Sequence, residues 1–242
     1  MSTARYTLDD PPFAGLTGAD VRVAVIDSGI HPANPHIGVA VSGVRIHADG
    51  AVDNDFVDRI GHGTAVAAAI LEKAPGIELV GVRVFDRTLA TSADVLARAI
   101  SLAAVNGARL INLSLGTPNA ARVAVLGAAV DEAVSRGALV VSAREWEGTM
   151  WLPGSLPNVA GVTLDRACDR DTLGVELDAP ARTIRFAASG YPRPIPGVPV
   201  ERNLSGISFA VANVTGFLAR LLEANGAVRD VTRLAEVLGQ RG

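Results

Sequence analysis

Three residues far apart in the chain carry the side chains that acyl-transfer chemistry needs: Asp27, His62 and Ser208. A serine hydroxyl is a weak nucleophile at neutral pH and needs a base beside it to take its proton. An imidazole does this and then returns the proton to the leaving group. A carboxylate behind the imidazole fixes its tautomer and stabilises the imidazolium that forms. Asp27, His62 and Ser208 therefore compose an acid, a base and a nucleophile for acyl chemistry, with no cofactor and no metal required.

The elements around these residues must bring them together. Residues 21–29 (VRVAVIDSG) read as a buried strand ending in Asp27, at the carboxyl end where open α/β sheets hold their sites. Residues 59–64 (RIGHGT) set His62 between glycines at the start of a helix, and residues 205–210 (SGISFA) open another helix around Ser208. Glycine neighbours let backbone segments approach closely. Strand and helix patterns alternate along the chain, which predicts an α/β fold with a mainly parallel sheet covered on both faces.

Ser92 reads as the N-cap of a helix whose apolar face holds Val95, Leu96, Ala99, Ile100 and Ala103, closed by Gly107. A strand at residues 110–113 follows, then a helix over about residues 120–136 stopped by Gly137, and strands at 139–142 and 159–164. The Ser208 helix carries Val214, Phe217, Leu218, Leu221 and Leu222, the spacing of a core stripe. A last helix covers about residues 231–238, after Asp230. Residues 189–200 (SGYPRPIPGVPV) read as an extended surface loop stiffened by prolines, or as a segment shaping the leaving-group side of a cleft.

Composition narrows the classes. The 242 residues suit a single domain, 1–242, with a core over about 21–223, and 49% apolar residues can fill it. A net charge of −3 gives no sign of a nucleic-acid or membrane partner. The single cysteine, Cys168, excludes an intrachain disulfide and reads as a small buried hydrophobe. No apolar run approaches the length of a membrane span. The opening MSTARYTLDDPP lacks the apolar core of a secretory signal, so a cytoplasmic protein is expected. Lys73 is the only lysine among arginine-dominated basic residues, which with the abundant alanine points to a GC-rich bacterial source. Asp53, Asp55 and Asp58 read as a solvated loop rather than a metal site. His31, His36 and His47 read as ordinary loop residues rather than metal ligands.

These segments together resemble the subtilisin-like serine proteases. The Asp27 segment is similar to that family's D-S/T-G motif, His62-Gly63-Thr64 to its H-G-T motif, and residues 206–216 (GISFAVANVTG) to its G-T-S-M/F-A-x-P-H-V-x-G. Residues 110–118 (LINLSLGTP) resemble the strand and S-x-G turn that line the family's cleft. The resemblance implies a three-layer subtilisin-like fold, the Asp, His, Ser order of the triad, and a peptide or protein substrate held as an extended strand. It places one cleft edge at Ser114, Leu115 and Gly116, and the other near Thr88, Leu89 and Ala90.

The departures bear on activity. Where the family has A-G-N-x-G, whose asparagine donates to the oxyanion, residues 143–148 read AREWEG. With Gly148 as the anchor, Trp146 falls at the asparagine position, and Glu145, Trp146 and Glu147 fall near the first-residue pocket. Ile207 replaces the threonine before the nucleophile, Ala212-Asn213 replace the family's P-H, and Ala65 replaces a second histidine. The short run after His62 leaves no room for the calcium loop of many secreted relatives, and residues 1–20 leave none for their prosegment. Three functions follow: an endopeptidase of narrow specificity that matures a dedicated peptide, a silent peptide-binding protein, or an acyl transferase that closes macrocycles.

Overall fold

A computed structural model of the chain describes residues 2–178 and 183–239. The strands are β1 (Ser2–Thr7), β2 (Arg22–Asp27), β3 (Val41–Ile46), β4 (Val52–Asp53), β5 (Glu78–Arg83), β6 (Leu110–Leu113), β7 (Leu139–Ala143), β8 (Glu145–Trp146), β9 (Thr149–Met150), β10 (Val159–Leu164), β11 (Thr172–Asp178) and β12 (Thr183–Ala188). The helices are α1 (His62–Lys73), α2 (Ala93–Val105), α3 (Val123–Ser135), α4 (Ile207–Ala224) and α5 (Val231–Gly239).

One sheet runs in the order β1-β11-β12-β10-β7-β6-β2-β5-β3-β4, and β8 and β9 form a separate hairpin. From β12 through β3 every neighbouring pair is parallel, and only the margins are antiparallel. The apolar runs of β2, β6 and β7 are buried on both faces, as a covered parallel sheet requires. Side chains of α1, α4 and α5 pack on one face, those of α2 and α3 on the other, giving three layers.

The elements follow the local chemistry. The Ser92 hydroxyl accepts from Val95 N at 3.2 Å and starts α2, and Gly107 closes it with a φ of 80°. In α4, Phe217, Leu218 and Leu221 are fully buried, each contributing about 1.5–3 kcal/mol of apolar burial. By length and composition α4 could cross a membrane, contrary to the expectation of no such run, but most of it is buried against the sheet.

Three other expectations need correction. The first strand is not at residue 21: β1 pairs antiparallel with β11, so alternating exposure along residues 2–7 hid an edge strand. The core likewise reaches beyond 21–223, since Leu234 and Leu238 of α5 are fully buried in it; residues 1 and 240–242 of the 1–242 span lie outside the described residues. Residues 120–122 form a separate 3-10 turn capped by Asn119, so α3 begins later, at Val123.

Candidate active site

Strand β2 lies between β5 on one side and β6 on the other, the point where the chain reverses its direction of travel across the sheet. Such a switch point opens a crevice at the carboxyl ends of the strands, and Asp27 is the last residue of β2. Two glycines make the crevice narrow. A Cβ on Gly63 would stand 2.2 Å from the Gly29 carbonyl oxygen, and one on Gly29 would stand 2.3 Å from that of Phe56. Gly29 also has a φ of 100°, which a side chain would strain. The D-S-G and H-G-T glycines thus allow the start of α1 to press against the end of β2.

This contact sets His62 on Asp27. His62 Nδ1 and Asp27 Oδ1 are 2.8 Å apart, and Ser28 N donates to the same oxygen at 2.7 Å. Asp27 is fully buried, and its Oδ2 has no hydrogen-bond partner among the described residues. Burial disfavours the charged imidazole, but the Asp27 hydrogen bond and the charges of Asp27 and Asp58 outweigh it and raise the His62 pKa above its ordinary value.

Asp58 is not the solvated acid that the sequence suggested. It is 6% exposed and accepts from Ser28 Oγ, Ile60 N and Gly61 N on one oxygen, and from Thr64 N and Thr64 Oγ1 on the other. Burial alone would raise its pKa, but these donors prevail and hold it below the usual carboxylate range. It ties the residue after Asp27 to the loop before His62, a positioning role that the D-R-I-G-H spacing could have signalled. Asp55 pairs instead with Arg83 and Arg59, and Asp53 with His47, so the three acids do not converge. Among the described residues, no group of three or more potential ligands could hold a metal.

Ser208 stands in the first turn of α4, where backbone N–H groups lack intrahelical acceptors. Its hydroxyl donates to the Ser114 carbonyl at 3.3 Å, and no hydrogen bond joins it to His62 in this arrangement. The His62 ring lies 5.8 Å, centroid to centroid, from that of Phe209, the next residue. Ser114 Oγ donates to the Ser208 carbonyl at 3.3 Å and accepts from Asn112 Nδ2 at 3.0 Å. Asn112 Oδ1 in turn accepts from Thr215 Oγ1 at 2.9 Å, so a buried polar chain pins β6 to α4.

Ser208 lines a cleft of about 410 Å³ together with Leu89, Ala90, Ser114, Leu115 and Gly116, while Thr88 of the expected second edge is not among the lining residues. Trp146 and Trp151 complete its walls. Trp146 sits on the β8–β9 hairpin, turned by Glu147 and Gly148 at φ values of 50° and 77°. Its indole N–H has no hydrogen-bond partner among the described residues. Glu145 and Glu147 are exposed and do not line the cleft, which corrects their expected place near the first-residue pocket.

Comparison with known proteins agrees with this fold. The model of the subtilase family, Peptidase_S8, matches residues 18–144. Subtilisin NAT of Bacillus subtilis subsp. natto is 30% identical over 248 residues, covering 89% of this chain and 60% of its own length. The chain thus spans under two thirds of that relative. Subtilisin Savinase of Lederbergia lenta is 32% identical over 234 residues, covering 90% of this chain and 81% of its own. Among solved structures, a serine-to-alanine mutant of the protease domain of PatA superposes with a TM-score of 0.66 at 25% identity, covering 91% of this chain and 87% of that one.

Proposed function

Because this chain belongs to the subtilase family, we propose that it is a serine endopeptidase of narrow specificity acting through Asp27, His62 and Ser208. The observation that carries the reading is the Asp27–His62 pair at 2.8 Å beside a cleft that Ser208 lines together with Ser114, Leu115 and Gly116. A peptide pairs with Ser114 to Gly116 as an added strand, and its side chains enter the aromatic-walled space. The Ser208 hydroxyl leaves the Ser114 carbonyl by rotation about χ1 and gives its proton to His62 as it attacks the peptide carbonyl. The peptide C–N bond breaks, the amine takes the proton from His62, and water hydrolyses the acyl-enzyme by the reverse proton path. The Ser208 N–H faces the developing oxyanion, and Trp146, aligned through Gly148, is the counterpart in sequence of the second donor of relatives. Close confinement by Trp146 and Trp151 favours one dedicated peptide over many.

Those two rings in the cleft wall also support a second reading, transfer of the acyl group to an amine rather than to water. The test is the intact mass of the protein after exposure to a fluorophosphonate probe. One adduct on wild type, lost in Ser208→Ala and His62→Ala, is expected. No adduct on the folded protein would sink the active-serine reading and favour a silent peptide-binding protein. The masses of products from a cleaved peptide then separate hydrolysis from transfer.

A further inference from the structure

A second and larger cavity, of about 540 Å³, adjoins the reactive residues and shares no lining residue with the cleft. The segments that wall it lead directly into the site: Ile60 and Gly61 precede His62, and Asn203 and Leu204 precede the loop to Ser208. Its floor includes Ala65 of α1, at the position where the subtilase motif carries a second histidine, so the small side chain leaves the floor open. The proline-rich segment supplies Arg193 and Ile195 to the opposite wall.

The charged groups of this cavity differ in their partners. Asp58 reaches it, but both its oxygens are occupied by the five donors already described. Arg59 is paired with Asp55 at 2.9 Å. Arg193 is half-buried, and the one hydrogen bond of its guanidinium among the described residues is a long 3.4 Å contact to the His36 carbonyl, with no carboxylate partner there. The rings of His31 and His36 line the same space. Around this polar centre the rim is apolar, with Ile60, Ile195 and Leu204 exposed at 37%, 46% and 57%. An unpaired guanidinium within an apolar rim is complementary to a carboxylate carried between apolar side chains, because Arg binds carboxylates through paired, directed N–H groups.

We propose that this cavity binds the substrate segment on the leaving-group side of the cut, and that Arg193 selects an acidic residue flanked by apolar ones there. The assignment to the leaving side rests on the endopeptidase reading: His62 hands its proton to the departing amine, so that part of the peptide passes the imidazole toward this cavity. The tethering it provides also raises the effective concentration of the reacting carbonyl at Ser208.

The test uses the full chain and two fluorescein-labelled, C-terminally amidated hexapeptides, Ala-Leu-Glu-Leu-Ala-Ala and the same peptide with glutamine for the glutamate, followed by fluorescence anisotropy. Wild type is expected to bind the glutamate peptide about tenfold more tightly, the effect of one charge-assisted hydrogen bond. Arg193→Gln is expected to erase the difference, Arg193→Lys to restore part of it, and both variants to label with fluorophosphonate at the wild-type rate. Equal binding of the two peptides, no binding of either at millimolar concentration, or a preference that survives Arg193→Gln would overturn the proposal. The labelling arm separates the two readings. Labelling without a glutamate preference sinks this site alone, whereas the preference without labelling keeps the site and sinks the endopeptidase.

Discussion

Replacing Asp58 by asparagine tests whether one buried carboxylate holds the catalytic loops together. Its five donors come from both sides of the site: Ser28 beyond Asp27, and Ile60, Gly61 and Thr64 around His62. An asparagine of the same shape keeps one acceptor oxygen and presents an amide where the other stood. If the oxygen stays toward Ser28, the Thr64 N–H loses its acceptor inside the protein, while the Thr64 hydroxyl can turn to accept from the new amide. Leaving a buried donor unpaired costs about 1–3 kcal/mol, and the three retained bonds weaken from charged to neutral. The lower cost of burying a neutral group offsets part of this, leaving a net loss of about 2–4 kcal/mol. For a chain of this size that is a fall of roughly 5–15 °C in Tm. The folded carboxyl has a depressed pKa, so its contribution is full above the unfolded value of about 3.9 and fades as pH falls through the folded value. Thermal melts by circular dichroism at pH 7 and at successively lower pH values read both effects. A Tm within 1 °C of wild type at pH 7, or a difference that does not shrink in acid, would refute the argument.

Three further perturbations probe the site. Asp27→Asn is expected to slow fluorophosphonate labelling by about 10⁴-fold, since the wrong imidazole tautomer then faces Ser208. In wild type the raised His62 pKa predicts a labelling rate that climbs with pH at a midpoint above the ordinary value of about 6.5. The same raised pKa means that His62 contributes stability fully below the unfolded pKa and loses it as pH rises through the folded one; a midpoint below pH 6 in the rate profile contradicts both statements. Trp146→Asn is expected to raise turnover of an activated ester at least about tenfold, part of the roughly 10²–10³ that one oxyanion donor supplies in a related subtilisin. Trp146→Phe, which keeps the ring and removes the N–H, is expected to leave that turnover unchanged, and equal rates for both variants would remove Trp146 from the oxyanion position. Gly63→Ala drives a Cβ to 2.2 Å from a backbone oxygen, and urea unfolding is expected to show a loss above about 3 kcal/mol. A loss below about 1 kcal/mol means that α1 can draw back from β2 cheaply.

Much of the fold was legible because parallel strands and their covering helices are long and apolar. Strand β2, the Ser92 cap of α2 and the core stripe of α4 lie where residue pattern puts them, since buried elements leave strong periodic signals. The margins were less legible. Strand β1 alternates in exposure and draws its stability from pairing with β11, a partner some 170 residues away that no local pattern specifies.

The same division holds at the site. Residue types and motif spacing by themselves singled out Asp27, His62 and Ser208 as candidates, because chemistry restricts which side chains serve and glycines mark close backbone approach, whereas the cleft edges came from the family resemblance. Only the tertiary structure decided the part played by Asp58, whose partners Ser28 and Thr64 lie on opposite sides of it in sequence. It alone turned Trp146 on a hairpin and directed the Ser208 hydroxyl to the Ser114 carbonyl. It also brought His31, His36 and Arg193 around one cavity. Hydrogen bonds and unpaired charges depend on distances between segments far apart in the chain, and those distances exist only once the sheet is assembled.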